Sequence, residues 1–183
     1  MEVGEMSKYI PKLTGEKVYL SPMFTDDAEQ YARWMNNIEV TRYLGQASKC
    51  YSLDSEKKAL ERMVSEGHNY AMVLKEEDRL IGNISLMDVN YLYQTAELGI
   101  FIGEVADRGN GYGQEAIRLL IDYGFRFLNL KNIMLRVYSG NKQAIHVYEK
   151  CGFKPFGKRT KCLFVDDKWH DEIFMEILKE GQN

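Results

Sequence analysis

The chain has 183 residues, with 24 Lys and Arg against 27 Asp and Glu and a formal charge of −3. This balance leaves no basic stripe, which argues against nucleic acid or an anionic membrane as the main partner and admits a cationic or amine-bearing substrate. The length fits one domain over 1–183, large enough to bury a core unaided, and Cys50, Cys151 and Cys162, odd in number and without C-x-x-C or zinc spacing, read as reduced thiols in a cytoplasmic protein.

Residues 1 to about 12 carry no periodic pattern and predict a loose leader; they lack the basic and apolar segments of an export signal, and no apolar run nears ~18 residues. Val18-Tyr19-Leu20 predicts a short strand stopped by Pro22. Asp26-x-x-Glu29 has the form of a capping box, and Ala28, Tyr31, Ala32 and Met35 fall at the spacing of one buried helical face, ended by Asn36-Asn37. A short helix follows over Ile38 to Leu44. Another starts near Ser52, with Leu53, Lys57, Leu60 and Val64 on one side, and stops at Gly67. Tyr70 to Leu74 and Leu80 to Met87 predict two hairpin-linked strands, with a loop over Asp88 to Gln94. The strand Ala96 to Ile102 contains Gly99, a residue that often marks a bulge. A long helix from about Gly111 to Leu128 leads to a strand over Ile133 to Tyr138, which that crossover makes parallel to its predecessor. Asn141 can cap a helix running from Lys142 to Cys151, and Lys161 to Val165 with Trp169 to Leu178 predicts a closing antiparallel hairpin.

Within this order Arg108-Gly109-Asn110-Gly111-Tyr112-Gly113 is a glycine-rich turn between a strand and a helix. Alternating glycines permit positive φ and leave no Cβ to hold a ligand away, while the first N–H groups of the helix lack internal partners. Together with the helix dipole they suit a phosphate. Gly111-x-Gly113-x-x-Ala116 also fits a dinucleotide fingerprint, but that fingerprint belongs on the first strand of a parallel sheet with an acid about 20 residues on. Here antiparallel strands come first, and the following strand ends in Tyr138-Ser139.

These residues resemble the GCN5-related N-acetyltransferases. The family's pyrophosphate signature Q/R-x-x-G-x-G/A is matched by Arg108 to Gly113, and Asn141-x-x-Ala144-x-x-x-Tyr148 before Gly152-Phe153 is similar to its second signature. The resemblance covers about residues 13 to 178, and Leu13-x-Gly15 with Trp169-His170-Asp171 look most like the branch of ribosomal-protein N-terminal and spermidine acetyltransferases. It implies an α+β fold: a mostly antiparallel six- to seven-stranded sheet flanked by helices, with a central parallel pair splayed into a V. It further implies acetyl-CoA as cosubstrate, no metal, and a homodimer as a possible assembly. Pantetheine would pair with the strand bearing Phe101, Ile102 and Gly103, and the pyrophosphate would sit on Arg108, Gly109, Asn110, Gly111, Tyr112 and Gly113, with Asn141, Ala144 and Tyr148 as further contacts.

Direct attack of a neutral amine on the thioester needs an acceptor for the ammonium proton, and Glu97, acting through water, is the candidate. The alternative for Glu97 is a solvated or ion-paired strand carboxylate. A backbone N–H near Phe101 or Ile102 would stabilise the oxyanion. Tyr148 resembles the family's general acid for the departing thiolate; a phenol of pKa ~10 is protonated at neutral pH. Its other reading is a core aromatic, since Ala144, Ile145 and Tyr148 share a helical face. His68, His146 and His170 form no metal pattern. The acceptor would meet Asp88, Asn90, Tyr91, Tyr93 and Glu97, where acids favour a cation. The polyamine enzymes' acidic cluster after the first helices has no counterpart in Leu44 to Ser52, which holds Lys49 instead. A small polyamine-like or aminoglycoside-like amine is favoured; a protein N-terminal amine or an acetyl-CoA sensor without turnover are the alternatives.

Overall fold

Every residue of β3 (Asn69–Leu74) from Tyr70 onward is buried, because the strand has cores on both faces. Tyr70, Met72 and Leu74 point into one core, and Ala71 and Val73 into the other. The computed structural model describes residues 7–179. In it β1 (Leu13–Thr14), β2 (Val18–Pro22), β3, β4 (Arg79–Asn90), β5 (Thr95–Ile102), β6 (Asn132–Tyr138), β7 (Lys154–Val165) and β8 (Lys168–Leu178) form one sheet. Its order is β1-β2-β3-β4-β5-β6-β8-β7. All neighbours are antiparallel except β5 and β6. The count exceeds the expected six or seven because Leu13–Thr14 adds a short edge strand against Tyr19 and Leu20.

On one face lie α4 (Tyr112–Arg126) and α5 (Lys142–Lys150), built as expected from an apolar stripe. Ala116, Ile117, Leu120, Ile121 and Gly124 of α4 are buried against β4 and β6 residues such as Leu86 and Ile133. The other face carries α1 (Ala28–Met35), α2 (Ile38–Thr41) and α3 (Leu53–Ser65).

Several boundaries and faces differ from the expectation. The capping box does not form: Asp26 is exposed, and buried Asp27 instead accepts from Lys8 Nζ (2.5 Å) and Tyr9 Oη (3.0 Å). The part of the loose leader that falls within the described residues is therefore docked, with Tyr9 buried; residues 1–6 lie outside them. In α1 the buried stripe is Ala28, Tyr31 and Trp34, with Ala32 and Met35 half-buried at its margin. Glu56 and Leu60 turn inward on α3, while Leu53 and Val64 are exposed. Burial pushes the Glu56 carboxyl pKa up. β4 runs past Met87 to Asn90 around an irregularity where Asp88 takes φ 50°, which shortens the expected loop. β7 begins at Lys154, and Asp166 and Asp167 make a two-residue turn with positive φ at both positions, the geometry that suits a tight hairpin.

Candidate active site

β5 and β6 pair for only three rungs, Thr95–Asn132, Ala96–Ile133 and Glu97–Met134. Beyond them each arm keeps its outer partner: β5 stays in register with β4 to Ile102–Gly82, and β6 with β8 to Tyr138–Glu172. The facing edges from Leu98 to Ile102 and from Leu135 to Tyr138 make no ladder with each other. This is a V with free backbone N–H and C=O groups on its inner edges. Gly99 does not bulge; it sits opposite Ser85 in unbroken register. The V opens into a cavity of about 640 Å³, a size that suits a cofactor.

One end of the cavity is the glycine turn. Gly109 and Gly111 take φ 82° and 86°, values that a Cβ disfavours. Gly111 caps α4 with no side-chain bond, so the helix presents its first N–H groups outward. Arg108, Gly109, Gly111 and Gly113 line the cavity, whereas Asn110 and Tyr112 stand outside its wall. Asn110 Nδ2 bonds Ala106 O, and its carbonyl accepts from Lys17 Nζ at 3.2 Å. Arg108 is turned to protein: its Nη2 donates to Ile102 O (3.1 Å) and its Nη1 to Glu39 O (3.2 Å). Burial lowers its pKa from the ordinary arginine value, and the side chain locks the end of β5 to the turn.

The wall also holds Arg42, Lys142 and Lys150 against the single acid Glu39. Arg42 Nε is buried without a partner. Free helix N–H groups, positive-φ glycines and this cationic surplus together fit a phosphorylated cofactor.

The other wall is α5. Asn141 Oδ1 accepts from Ala144 N at 3.1 Å, capping the helix, and both residues line the cavity. Tyr148 lines it too, yet is only 8% exposed and packs edge-on against Phe153 at 6.0 Å. Tyr148 is thus a core aromatic that also borders the cavity. Burial, with a smaller effect from Cys151, pushes its phenol up to about 12. Phe101 and Ile102 line the β5 side. Gly103 does not; a Cβ there would run into the indole of Trp34. Glu97 also stands apart from the cavity wall, accepting from Arg136 Nε at 2.7 Å with its side chain 15% exposed.

The structure adds wall residues that sequence reading passed over. Gln143, Val147 and Lys150 recur at helical spacing along α5 and face the cavity, a signal that was present in the sequence. Tyr43 and Leu44 reach it from the segment after α2, where no pattern marked them. Glu115 is also new: its carboxylate accepts from the backbone N–H of Lys17 (3.0 Å) and Val18 (3.3 Å), holding the β1–β2 turn beside the glycine turn.

A parallel pair splayed over a glycine turn at a helix N-terminus, with a buried phenol in the wall, defines a coenzyme A-dependent acyltransferase. The chain belongs to the GNAT acetyltransferases: the family model described as an acetyltransferase (GNAT) domain matches residues 17–154. It is similar to the spermidine N(1)-acetyltransferase of Vibrio cholerae, 30% identical over 129 residues that make up 70% of this chain and 74% of that protein. Among solved structures, the spermidine N-acetyltransferase from Vibrio cholerae in complex with CoA and spermine aligns with TM-score 0.78 at 27% identity, covering 90% of this chain and 96% of that one. A GNAT-family acetyltransferase from Bacillus anthracis shares the fold at TM-score 0.80 and 22% identity, over 92% of this chain and 99% of that one. The protein is an acetyl-CoA-dependent N-acetyltransferase. Among the described residues no helix is long and apolar enough to cross a membrane, and no cluster of His, Cys, Asp and Glu is placed to hold a metal.

Proposed function

We propose that the enzyme acetylates a small primary amine by direct attack within a ternary complex. The observation that carries this reading is the V itself, open between Phe101 on one arm and Tyr148 behind the other, with the glycine turn at its mouth. Acetyl-CoA supplies the activated acetyl thioester when bound. Its phosphates suit the N–H groups of Gly109 to Gly113, and the free edge of β5 suits the amides of the pantetheine arm. The chain's own groups then have three tasks. A free β5 N–H near Phe101 or Ile102 faces the charge that builds on the carbonyl oxygen. Tyr148, held protonated by burial, gives its proton to the thiolate as the C–S bond breaks and the C–N bond forms. The ammonium proton leaves to water in the open cavity; Glu97 we assign to its ion pair with Arg136.

The acceptor side favours a small molecule over a peptide. Arg42 joins Glu39 (2.7 Å) to Asp166 (3.2 Å), and Tyr43 packs edge-on against His170 at 5.7 Å, so α2 and the β7–β8 hairpin meet across that approach. The test is thiol release from acetyl-CoA with spermidine, spermine, aminoglycosides and short free-N-terminus peptides. Turnover of the small amines, with kcat reduced roughly a hundredfold or more in Tyr148→Phe, is expected. Turnover confined to peptides, or an undiminished Phe variant, overturns the acceptor or the acid assignment respectively.

A further inference from the structure

Acids flank the glycine turn on both sides in sequence, and each is held away from it. Glu104 Oε1 accepts from Trp34 Nε1 at 2.7 Å, and Glu115 accepts from the backbone N–H groups of Lys17 and Val18. Asp107 leads directly into the turn, next to Arg108, and is only 7% exposed. Both of its oxygens are taken by the fork of Arg79, the first residue of β4. Nη1 donates to Oδ2 at 2.8 Å and Nη2 to Oδ1 at 2.9 Å, while Nε donates to Glu77 at 2.7 Å.

This bidentate pair is not needed to place the stretch. Gly103 N–H donates to Ile81 O at 2.9 Å, Trp34 holds Glu104, and Arg108 is tied to Ile102 O and Glu39 O. What the pair does alone is occupy the carboxylate. Aspartate side chains bond backbone N–H groups two or three residues further on. From Asp107 those groups belong to Gly109 and Asn110, whose N–H groups donate no hydrogen bond among the described residues and head the run that is open to a phosphate. An untethered Asp107 would be an anion built into the chain beside an anion site. At 3.8 Å between successive Cα atoms it lies within about 8 Å of Gly109, which is the screening length at physiological salt.

Resting on the reading of Gly109 to Gly113 as the phosphate site, we propose that Arg79 is a positioning residue for acetyl-CoA: by holding both oxygens of Asp107 it keeps that carboxylate off the N–H groups that the cofactor's phosphates take. Arg79 stands outside the cavity wall and acts only through Asp107.

The test titrates acetyl-CoA and S-acetylpantetheine, which share the thioester and the pantetheine arm and differ in the phosphorylated end, into wild type, Arg79→Met, Arg79→Lys and the double variant Arg79→Met/Asp107→Leu. Wild type is expected to favour acetyl-CoA. In Arg79→Met that preference falls about tenfold or more, with the affinity for S-acetylpantetheine within about twofold of wild type, and removal of the freed carboxylate in the double variant restores most of it. Arg79→Lys keeps a charge and gives up the fork, so it loses about threefold; it carries the comparison if the methionine variant does not fold. An unchanged preference in Arg79→Met, or in Arg79→Lys where that stands alone, overturns this assignment. So does a loss that the double variant retains in full, or an equal fall with both ligands, the mark of a pair that only supports the fold. If wild type binds the two ligands equally, the phosphate reading falls and this assignment with it.

Discussion

Replacing Gly103 with alanine separates two reasons for a glycine at the end of β5. A Cβ at Gly103 would lie 2.1 Å from Cδ2 and Cε2 of Trp34 and 2.5 Å from its Nε1. The indole has little room to retreat: it is 2% exposed, with Tyr31 and Phe101 edge-on at 5.3 and 5.9 Å, and its Nε1–H donates to Glu104 Oε1 at 2.7 Å. Overpacking of this kind costs about 1–3 kcal/mol, and weakening a bond to a carboxylate adds about 1.5 kcal/mol. With roughly 2–4 °C of Tm per kcal/mol for a chain this long, Gly103→Ala should melt about 5–18 °C below wild type. Circular-dichroism melts of the apo protein, with calorimetric titration of acetyl-CoA, read the two effects apart. A Tm within about 2 °C of wild type, together with a clear loss of acetyl-CoA affinity, would refute the packing argument and return Gly103 to the cofactor.

The glycine turn and the buried phenol give two further expectations. Gly111→Ala forces a Cβ onto a residue at φ 86°, at a cost of about 1–2 kcal/mol, and should weaken acetyl-CoA binding in the same titration; unchanged binding counts against the turn as an anion site. Tyr148 has its folded pKa raised from 10.0 to about 12, so its contribution to stability is complete below pH 10 and is lost as pH rises through 12. Over that window, urea titrations should show wild type losing on the order of 3 kcal/mol more than Tyr148→Phe, and equal losses would contradict the raised pKa. Because the proton stays on Tyr148 from pH 7 to 10, the kcat deficit of the Phe variant should also stay constant there.

Local chemistry made much of the site legible. The turn from Arg108 to Gly113, the Asn141 cap and the parallel strand pair are written in glycine spacing, capping residues and apolar period, all of which act within a few residues. What escaped depends on register between distant strands. The ion pair of Glu97 exists only because β6 places Arg136 beside it, and the packing demand at Gly103 only because α1 lays Trp34 across it. The inward face of α3 was misassigned because Leu53, Leu60 and Val64 also fit a helical stripe, and tertiary packing chose Glu56 with Leu60 instead.

The three rungs between β5 and β6 also divide the chain as a folding problem. Every strand on one side of them ends by residue 102, and every strand on the other begins at residue 132 or later. Each half-sheet can thus zip from contiguous sequence, and the costly long-range closure enters once, at the junction that α4 bridges by packing on β1, β2, β4 and β5 and on α5. The seam between the two halves is also where the cavity opens. Phe101 belongs to one half and Tyr148 to the other, so neither half alone forms the cavity that both residues line.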